Sequence, residues 1–469
     1  MPPPLASLPP ATSGEPLYRQ VYERFRGAIT QGTLKPGDRI PSARALAKDL
    51  GVARGTIEMA YSLLHAEGYV QPRGQAGTVV TPGLQAQPAA RPSPPPARPD
   101  PDTWRQPPEP LPFQMGLPAL DAFPRKIWAR LGARHLRATQ AADLSYPPAD
   151  GLPALRTAIA AHLQVARGIH CTPDQVFITS GYRESLNLVI QALLQPGDQV
   201  WVEDPGYPPT RELLKHSGLT FAPVEVDSEG VIVSQGIALA PQARAAIVTP
   251  AHQSPLSVTL SLTRRQALLD WAERHQRWIV EDDYDGEYRY VSRPLPALKS
   301  LDRHGRVLYA GTFSKVMFPG IRLAYLVAPA ALVRRFEIVN RVLGNGIPGL
   351  TQALVSAFMT EGHFARHIQR MRRLYAERRN ATAAGLAKVF GPGMPIDPQP
   401  GGMHLLVRMK GRHTDRELAR RMLSNGLYAH ALSRWATATS CGSGLLMSFT
   451  NIESQDRAEQ LGRRILELM

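Results

Sequence analysis

The strongest constraint on this chain is a stretch that builds no core. From Pro82 to Pro112, twelve of 31 residues are proline, with few apolar residues beside them. Proline fixes φ and removes a backbone donor, so the stretch reads as an extended linker. It divides the 469-residue chain into a tail over residues 1–14, a small unit over 15–82, the linker over 83–112, and a large unit over 113–469. The flanking units differ in pattern.

In the small unit, Leu17, Val21, Phe25 and Ile29 recur every four residues and predict one apolar helix face. Lys35-Pro-Gly-Asp38 marks a turn. Ser42 is placed to cap a second helix carrying Leu46, Ala47 and Leu50, which Gly51 ends. A third helix follows with Ile57, Ala60, Tyr61 and Leu64 on one face, and Gly68 stops it. Two helices joined by Gly51-Val52 have helix-turn-helix spacing. Tyr69-Val70 and Thr78-Val79-Val80, around Arg73-Gly74 and Gly77, predict a hairpin with a basic tip. Arg54 and Thr56 open the third helix, where side chains reach base edges or phosphates, and Arg44 suits backbone contact. The net charge of +15 favours an acidic partner, although residues 15–82 hold nine Lys/Arg against six Asp/Glu.

The large unit alternates apolar strands with helical patterns, which predicts an α/β fold with a mainly parallel sheet. Tyr309-Ala-Gly-Thr-Phe-Ser-Lys315 reads as a strand that Gly311 breaks before a single lysine. A lysine so placed forms a Schiff base with an aldehyde cofactor, pyridoxal 5'-phosphate (PLP) being the usual one. Alone, the stretch reads equally as a surface lysine at a strand end. Trp278-Ile-Val-Glu-Asp-Asp-Tyr-Asp285 tips the balance, because a strand ending in carboxylates suits a pyridine nitrogen. Gln175–Gly181 predicts a strand entering a helix, and free N–H groups at that helix start suit a phosphate. Gln199–Tyr207 delivers an aromatic, Tyr207, fit to lie on a ring, whereas His252 reads as structural more readily than as catalytic. Gly344-Asn-Gly-Ile-Pro-Gly349 matches a dinucleotide fingerprint by letter, but it contains proline and lacks a preceding strand. His363 and His367 sit among Arg366, Arg370, Arg372 and Arg373, so no metal site is expected.

Two cysteines, Cys171 and Cys441, form no disulfide framework or metal spacing, and the N-terminal stretch lacks a signal-peptide core. No apolar run reaches membrane-spanning length. A cytoplasmic protein is the expectation.

GTLKPGDRIPSARALAKDLGVARGTIEMAYSLLHAEGYV closely resembles the winged-helix domain of GntR-type bacterial regulators. The resemblance implies operator contacts from Arg44, Arg54, Thr56 and the wing glycine Gly77. TSGYRESL, VEDPGYPPT, TPAHQSP, VEDDYDGEYRY, YAGTFSK and FPGIRLAYLV resemble a class I aminotransferase, a fold-type I PLP protein. Together the two parts resemble the MocR/GabR regulators. By that resemblance Lys315 carries the cofactor, Asp282 rather than Asp283 pairs with its ring nitrogen, and Tyr284 bonds the ring hydroxyl. Tyr207 stacks on the ring. Ser180, Gly181, Thr312, Ser314 and Arg322 hold the phosphate, and Tyr146 reaches the site of a partner subunit in a homodimer.

One departure matters. Leu446 falls where working aminotransferases place the arginine that clamps the substrate carboxylate, and a leucine makes no such contact. Leu256-Ser257 also replaces the commoner Thr-Gly. Full transamination is therefore in doubt, and Arg434, Arg408 and Arg183 are the candidate substitutes. The expectation is a regulator that an amine effector, or PLP itself, controls through Lys315; the alternative is an aminotransferase with a fused DNA-binding domain.

Overall fold

The computed structural model describes residues 15–74, 77–84, 107, 109–290, 296–343, 346–397, 401–410 and 414–469. The expected tail lies outside these residues, as do most of the linker and the first two residues of Gly344–Gly349. The chain divides into two compact units, residues 1–104 and 105–469.

In the small unit, helix α1 (Leu17–Thr30) buries Val21, Phe25 and Ile29, three of the four positions its spacing predicts, together with Tyr22, while Leu17 in the first turn is exposed. Ser42 caps helix α2 (Ala43–Leu50) by accepting from the Ala45 N–H at 3.2 Å. Gly51 ends it at φ 65°, a left-handed conformation that costs a side-chain-bearing residue more than glycine. Helix α3 (Arg54–Ala66) buries Ile57, Ala60 and Leu64. Strands β1 (Val70–Pro72) and β2 (Thr78–Val80) pair antiparallel to form the wing. Leu84 packs on this core, so the unit runs two residues beyond the expected boundary.

The large unit is built on strands β3 (Val176–Thr179), β4 (Gln199–Asp204), β5 (Thr220–Asp227), β6 (Gly230–Val231), β7 (Ala245–Val248), β8 (Trp278–Asp283), β9 (Val307–Thr312) and β10 (Ala324–Val327). They form one sheet in the order β3-β10-β9-β8-β7-β4-β5-β6. The run β5-β4-β7-β8-β9 is parallel, and β10 is antiparallel to both its neighbours. These strands are continuous apolar runs because both faces are covered. Val280 and Leu308 pack on one side, Ile279 and Val307 on the other. A second sheet, in the order β11-β13-β12, comprises β11 (His404–Arg408), β12 (His430–Ala431) and β13 (Gly444–Ser448). The long helix His363–Phe390 packs on the C-terminal helix Gln455–Leu466.

Two expectations need correction. Gly311 does not break its strand: β9 runs on to Thr312, paired with both β8 and β10. Glycine is there because a Cβ would run into the Tyr325 ring on the adjacent strand. The linker also ends before residue 112. The Pro112 carbonyl accepts from the Tyr428 N–H at 3.1 Å, and Leu111's accepts from Asn451 at 2.9 Å.

Candidate functional site

Two cavities lie by the C-terminal ends of parallel strands, the usual place for ligands in such sheets: Asp282 and Tyr207 line one, Tyr284, Asp285 and Thr312 the other. Strand β8 alternates its side chains, so Asp282 points to the face opposite Glu281 and Asp283. Asp283 is committed to the interior. It pairs with the nearly fully buried Arg167 and accepts from Tyr309 Oη at 2.5 Å and the Gly286 N–H at 3.1 Å. Asp282 instead lines a cavity with Tyr182, Glu203, Tyr207, Thr210 and Thr249. Burial pushes the Asp282 carboxyl well above the usual range, and the Asp283, Glu203 and Asp285 carboxylates add to this.

Lys315 follows β9 and reaches back, donating from Nζ to the Gly116 carbonyl at 2.9 Å. Burial lowers its pKa, while Asp285 and Asp282 pull the other way. The approach needs glycine at 116: its φ is 80°, and a Cβ there would sit 2.7 Å from Lys315 Nζ. Tyr284 Oη lies 3.0 Å from His252 Nδ1, which is also 3.1 Å from Asp285 Oδ2. His252 is thus part of the site's framework. Its Nε2 and Asp285 Oδ1 are buried with no hydrogen-bond partner among the described residues.

The phosphate candidates gather around two turns. The helix Tyr182–Leu193 starts one residue after Gly181, and the Ser180 N–H donates to Glu184 at 2.5 Å. A carboxylate at a helix start marks a place that favours negative charge. The Thr312 hydroxyl accepts from the Ser314 N–H at 3.1 Å. Arg322 is exposed and holds φ 50°, a backbone conformation costly for a long side chain and most often kept where a site needs it. Tyr207 lies between Tyr182 and Trp435, at ring-centroid distances of 6.1 and 5.7 Å. Tyr146 is 98% exposed.

Leu446 is fully buried in β13, with His430 its partner across the strands. The His430 ring packs on Trp435 at 6.1 Å, and burial pushes its pKa down to about 3. Of the three candidate substitutes, Arg408 is held by Asp397 and the Cys441 carbonyl, both at 2.8 Å. Arg434 ends the turn Leu432–Arg434, directly before Trp435. That segment is pinned: Arg211 donates to the Gly206, Arg434 and Trp435 carbonyls, while buried Asp204 accepts from the backbone of Thr437, Ala438 and Thr439. His367 Nε2 donates to the Val316 carbonyl at 2.9 Å, which fixes the ring structurally.

In the small unit, Arg44, Arg54 and Gly55 are exposed, and Thr56 is half-buried. Arg54 pairs with Glu58 one turn on at 2.7 Å. Gly77 has φ 80°, and the Arg39 guanidinium lies about where its side chain would be, 3.1 Å from a built Cβ. Arg39 pairs across to Val79 of the wing, a contact that its place in the sequence before helix α2 does not reveal.

Residues 17–80 match the gntR family of bacterial regulatory proteins, and residues 120–442 match aminotransferase class I and II. The chain is 36% identical over 455 residues to the probable rhizopine catabolism regulatory protein MocR of Rhizobium meliloti, covering 95% of this chain and 92% of that protein. It is 33% identical to the pyridoxine biosynthesis transcriptional regulator PdxR of Corynebacterium glutamicum, covering 95% of each. Among solved structures, the α-aminoadipate aminotransferase LysN of Thermus thermophilus, complexed with N-(5'-phosphopyridoxyl)-L-leucine, superposes with a TM-score of 0.69 at 27% identity, covering 76% of this chain and 92% of that one. The kynurenine aminotransferase of Pyrococcus horikoshii, complexed with PMP, gives 0.68 at 26%, covering 76% and 91%. No described helix is long and apolar enough to cross a membrane. A DNA-reading winged helix and an aminotransferase fold in one chain place it in a known family: it belongs to the MocR-type regulators of the GntR family.

Proposed function

We propose that this chain is a cytoplasmic transcriptional regulator whose large unit holds pyridoxal 5'-phosphate on Lys315, and whose grip on operator DNA is reset at that site by an amine effector or by PLP itself. The observation that carries the reading is a half-buried lysine, Lys315, whose charge acts on the buried, desolvated carboxyl of Asp282 at the ends of a parallel sheet.

The residues fit the group. Asp282 is held above its ordinary range by burial among other carboxylates, so a cation beside it would be stabilised. That is what a protonated pyridine nitrogen supplies. Tyr284, steadied by His252, would meet the ring hydroxyl, and Tyr207 would cover the ring. Ser180, Gly181, Thr312, Ser314 and Arg322 would hold the phosphate, Arg322 through a two-toothed contact. When bound, the cofactor supplies an electrophilic carbon for amines. Lys315 would hold the cofactor, and burial, which lowers its proton affinity, would leave a larger share of its amine unprotonated and able to do so. Asp282 would keep the ring nitrogen protonated.

An amine effector competing with Lys315 would free its ε-amine and so change the charge and packing around Gly116, whose carbonyl that amine now bonds. Arg44, Arg54, Thr56 and Gly77 would make the operator contacts. If effector binding alters DNA affinity, DNA must alter effector affinity by the same factor. The two curated relatives suggest the effector classes to try: one regulates rhizopine catabolism, the other pyridoxine biosynthesis. Tyr146, almost wholly exposed, supports a homodimer in which it completes the partner's site.

The test is borohydride reduction of PLP-loaded protein followed by peptide mapping. The reading expects one adduct, on Lys315; no adduct, or one elsewhere, overturns it. A second reading, an aminotransferase with a regulatory head, draws on the near-complete site. Leu446 weighs against it, because a carboxylate there would meet a fully apolar residue. Sustained turnover with an amino acid and a keto acid would establish it.

A further inference from the structure

The long helix His363–Phe390 carries two kinds of arginine. Those turned toward the protein have dedicated partners. Arg372 pairs with Glu287 at 2.8 Å, Arg378 with Asp121 at 2.6 Å, and Arg379 lies over the Tyr290 ring. Those on the outer face do not. Arg366, Arg370 and Arg373 are exposed, and among the described residues none of them pairs with a carboxylate. Arg366 contacts only the Glu361 carbonyl and His363. The three line a shallow groove with Gln369, Leu374 and Glu377.

Their spacing is i, i+4 and i+7, so they form one stripe ~10 Å long. Like charges at these spacings destabilise a helix, and Glu377, one turn beyond Arg373 in the same groove, is a single carboxylate against three arginines. A soluble surface is better served by mixed charges. Arginine, rather than lysine, is the residue suited to phosphate oxygens. Residues 105–469 carry 43 Lys/Arg against 31 Asp/Glu, so twelve of the chain's fifteen net positive charges lie outside the winged-helix unit. The acidic partner already at hand for this chain is DNA.

We propose that the outer stripe Arg366, Arg370 and Arg373 is a second, sequence-independent contact to the DNA backbone, made by the large unit. It rests on the DNA-binding reading but not on the cofactor.

The test needs no operator, because backbone contacts are indifferent to sequence. Binding of the full chain to a random-sequence duplex of about 60 base pairs is measured across a salt series. Each phosphate contact contributes about 0.9 to the slope of log affinity against log salt. The variant Arg366→Gln/Arg370→Gln/Arg373→Gln is expected to reduce the slope by about 2.7, and Arg370→Gln alone by about 0.9. The control Arg274→Gln/Arg457→Gln/Arg463→Gln removes the same charge from other exposed helices and should leave the slope unchanged. An unchanged slope in the stripe variant overturns the proposal, as does an equal fall in the control, which would mean net charge alone. Absence of DNA binding by the parent chain would overturn both this and the regulator reading. Parent binding with an unaffected slope removes only the stripe.

Discussion

Two adjacent aspartates should fail in opposite ways. Asp283 neutralises Arg167, whose guanidinium is nearly fully buried and has no other carboxylate at bonding distance among the described residues. Asp283→Asn leaves that charge uncompensated and weakens the bond from Tyr309. Breaking a buried ion pair by removing one partner costs about 3–5 kcal/mol. Asp282 has no such partner among the described residues and is desolvated, so Asp282→Asn removes a carboxyl that is costly to ionise there and should leave the cofactor-free protein at least as stable. Its loss falls on the cofactor, where one charge-assisted hydrogen bond is worth about 1.5–3 kcal/mol, or roughly a 10- to 150-fold weaker hold. Urea unfolding of the cofactor-free proteins and dialysis of bound PLP, followed by absorbance, separate the two. The reasoning is refuted if Asp283→Asn unfolds at the parent's midpoint, or if both variants loosen PLP equally.

Three further outcomes follow from the same structure. His367 is buried with its pKa pushed down to about 4, so between pH 6.5 and 4 only the unfolded chain gains the proton. The parent should lose stability relative to His367→Gln by about 1.4 kcal/mol per pH unit over that window, read from unfolding midpoints at each pH. Arg54→Ala should weaken binding to a selected operator by about 1–3 kcal/mol, and Gly77→Ala should weaken it too, since the new Cβ presses on Arg39 at φ 80°. A gel-shift titration reads both, and parental affinity in either would remove that residue from the interface. Arg434→Gln should abolish any preference for anionic amines over their uncharged amides in displacing Lys315, seen as an unequal spectral response in the parent and an equal one in the variant. A preference that survives assigns the anion's anchor elsewhere.

Much of this was legible in sequence because its causes are local. Apolar runs ending in small or acidic residues marked the parallel strands, and the two-residue alternation of β8 separates Asp282 from Asp283 before any contact is known. The cap at Ser42 and the turn at Gly51 are equally local. What escaped depends on chain segments far apart. Arg167 looks like any arginine near a helix end until Asp283 is brought to it. His252 gains meaning only beside Tyr284 and Asp285, and Gly116 only beside Lys315. Gly311 reads as a breaker because the ring that requires it, Tyr325, lies on another strand. The linker's ends were misplaced because proline content does not reveal that Asn451 and Tyr428 bind the backbone at residues 111 and 112.

The most direct trial of the account replaces one amine. DNA binding by PLP-loaded parent and by Lys315→Ala is titrated with the amines and with PLP under identical salt. The account predicts that the variant still binds DNA but no longer changes its affinity with any amine that moves the parent. A folded Lys315→Ala protein that answers every compound as the parent does would contradict it.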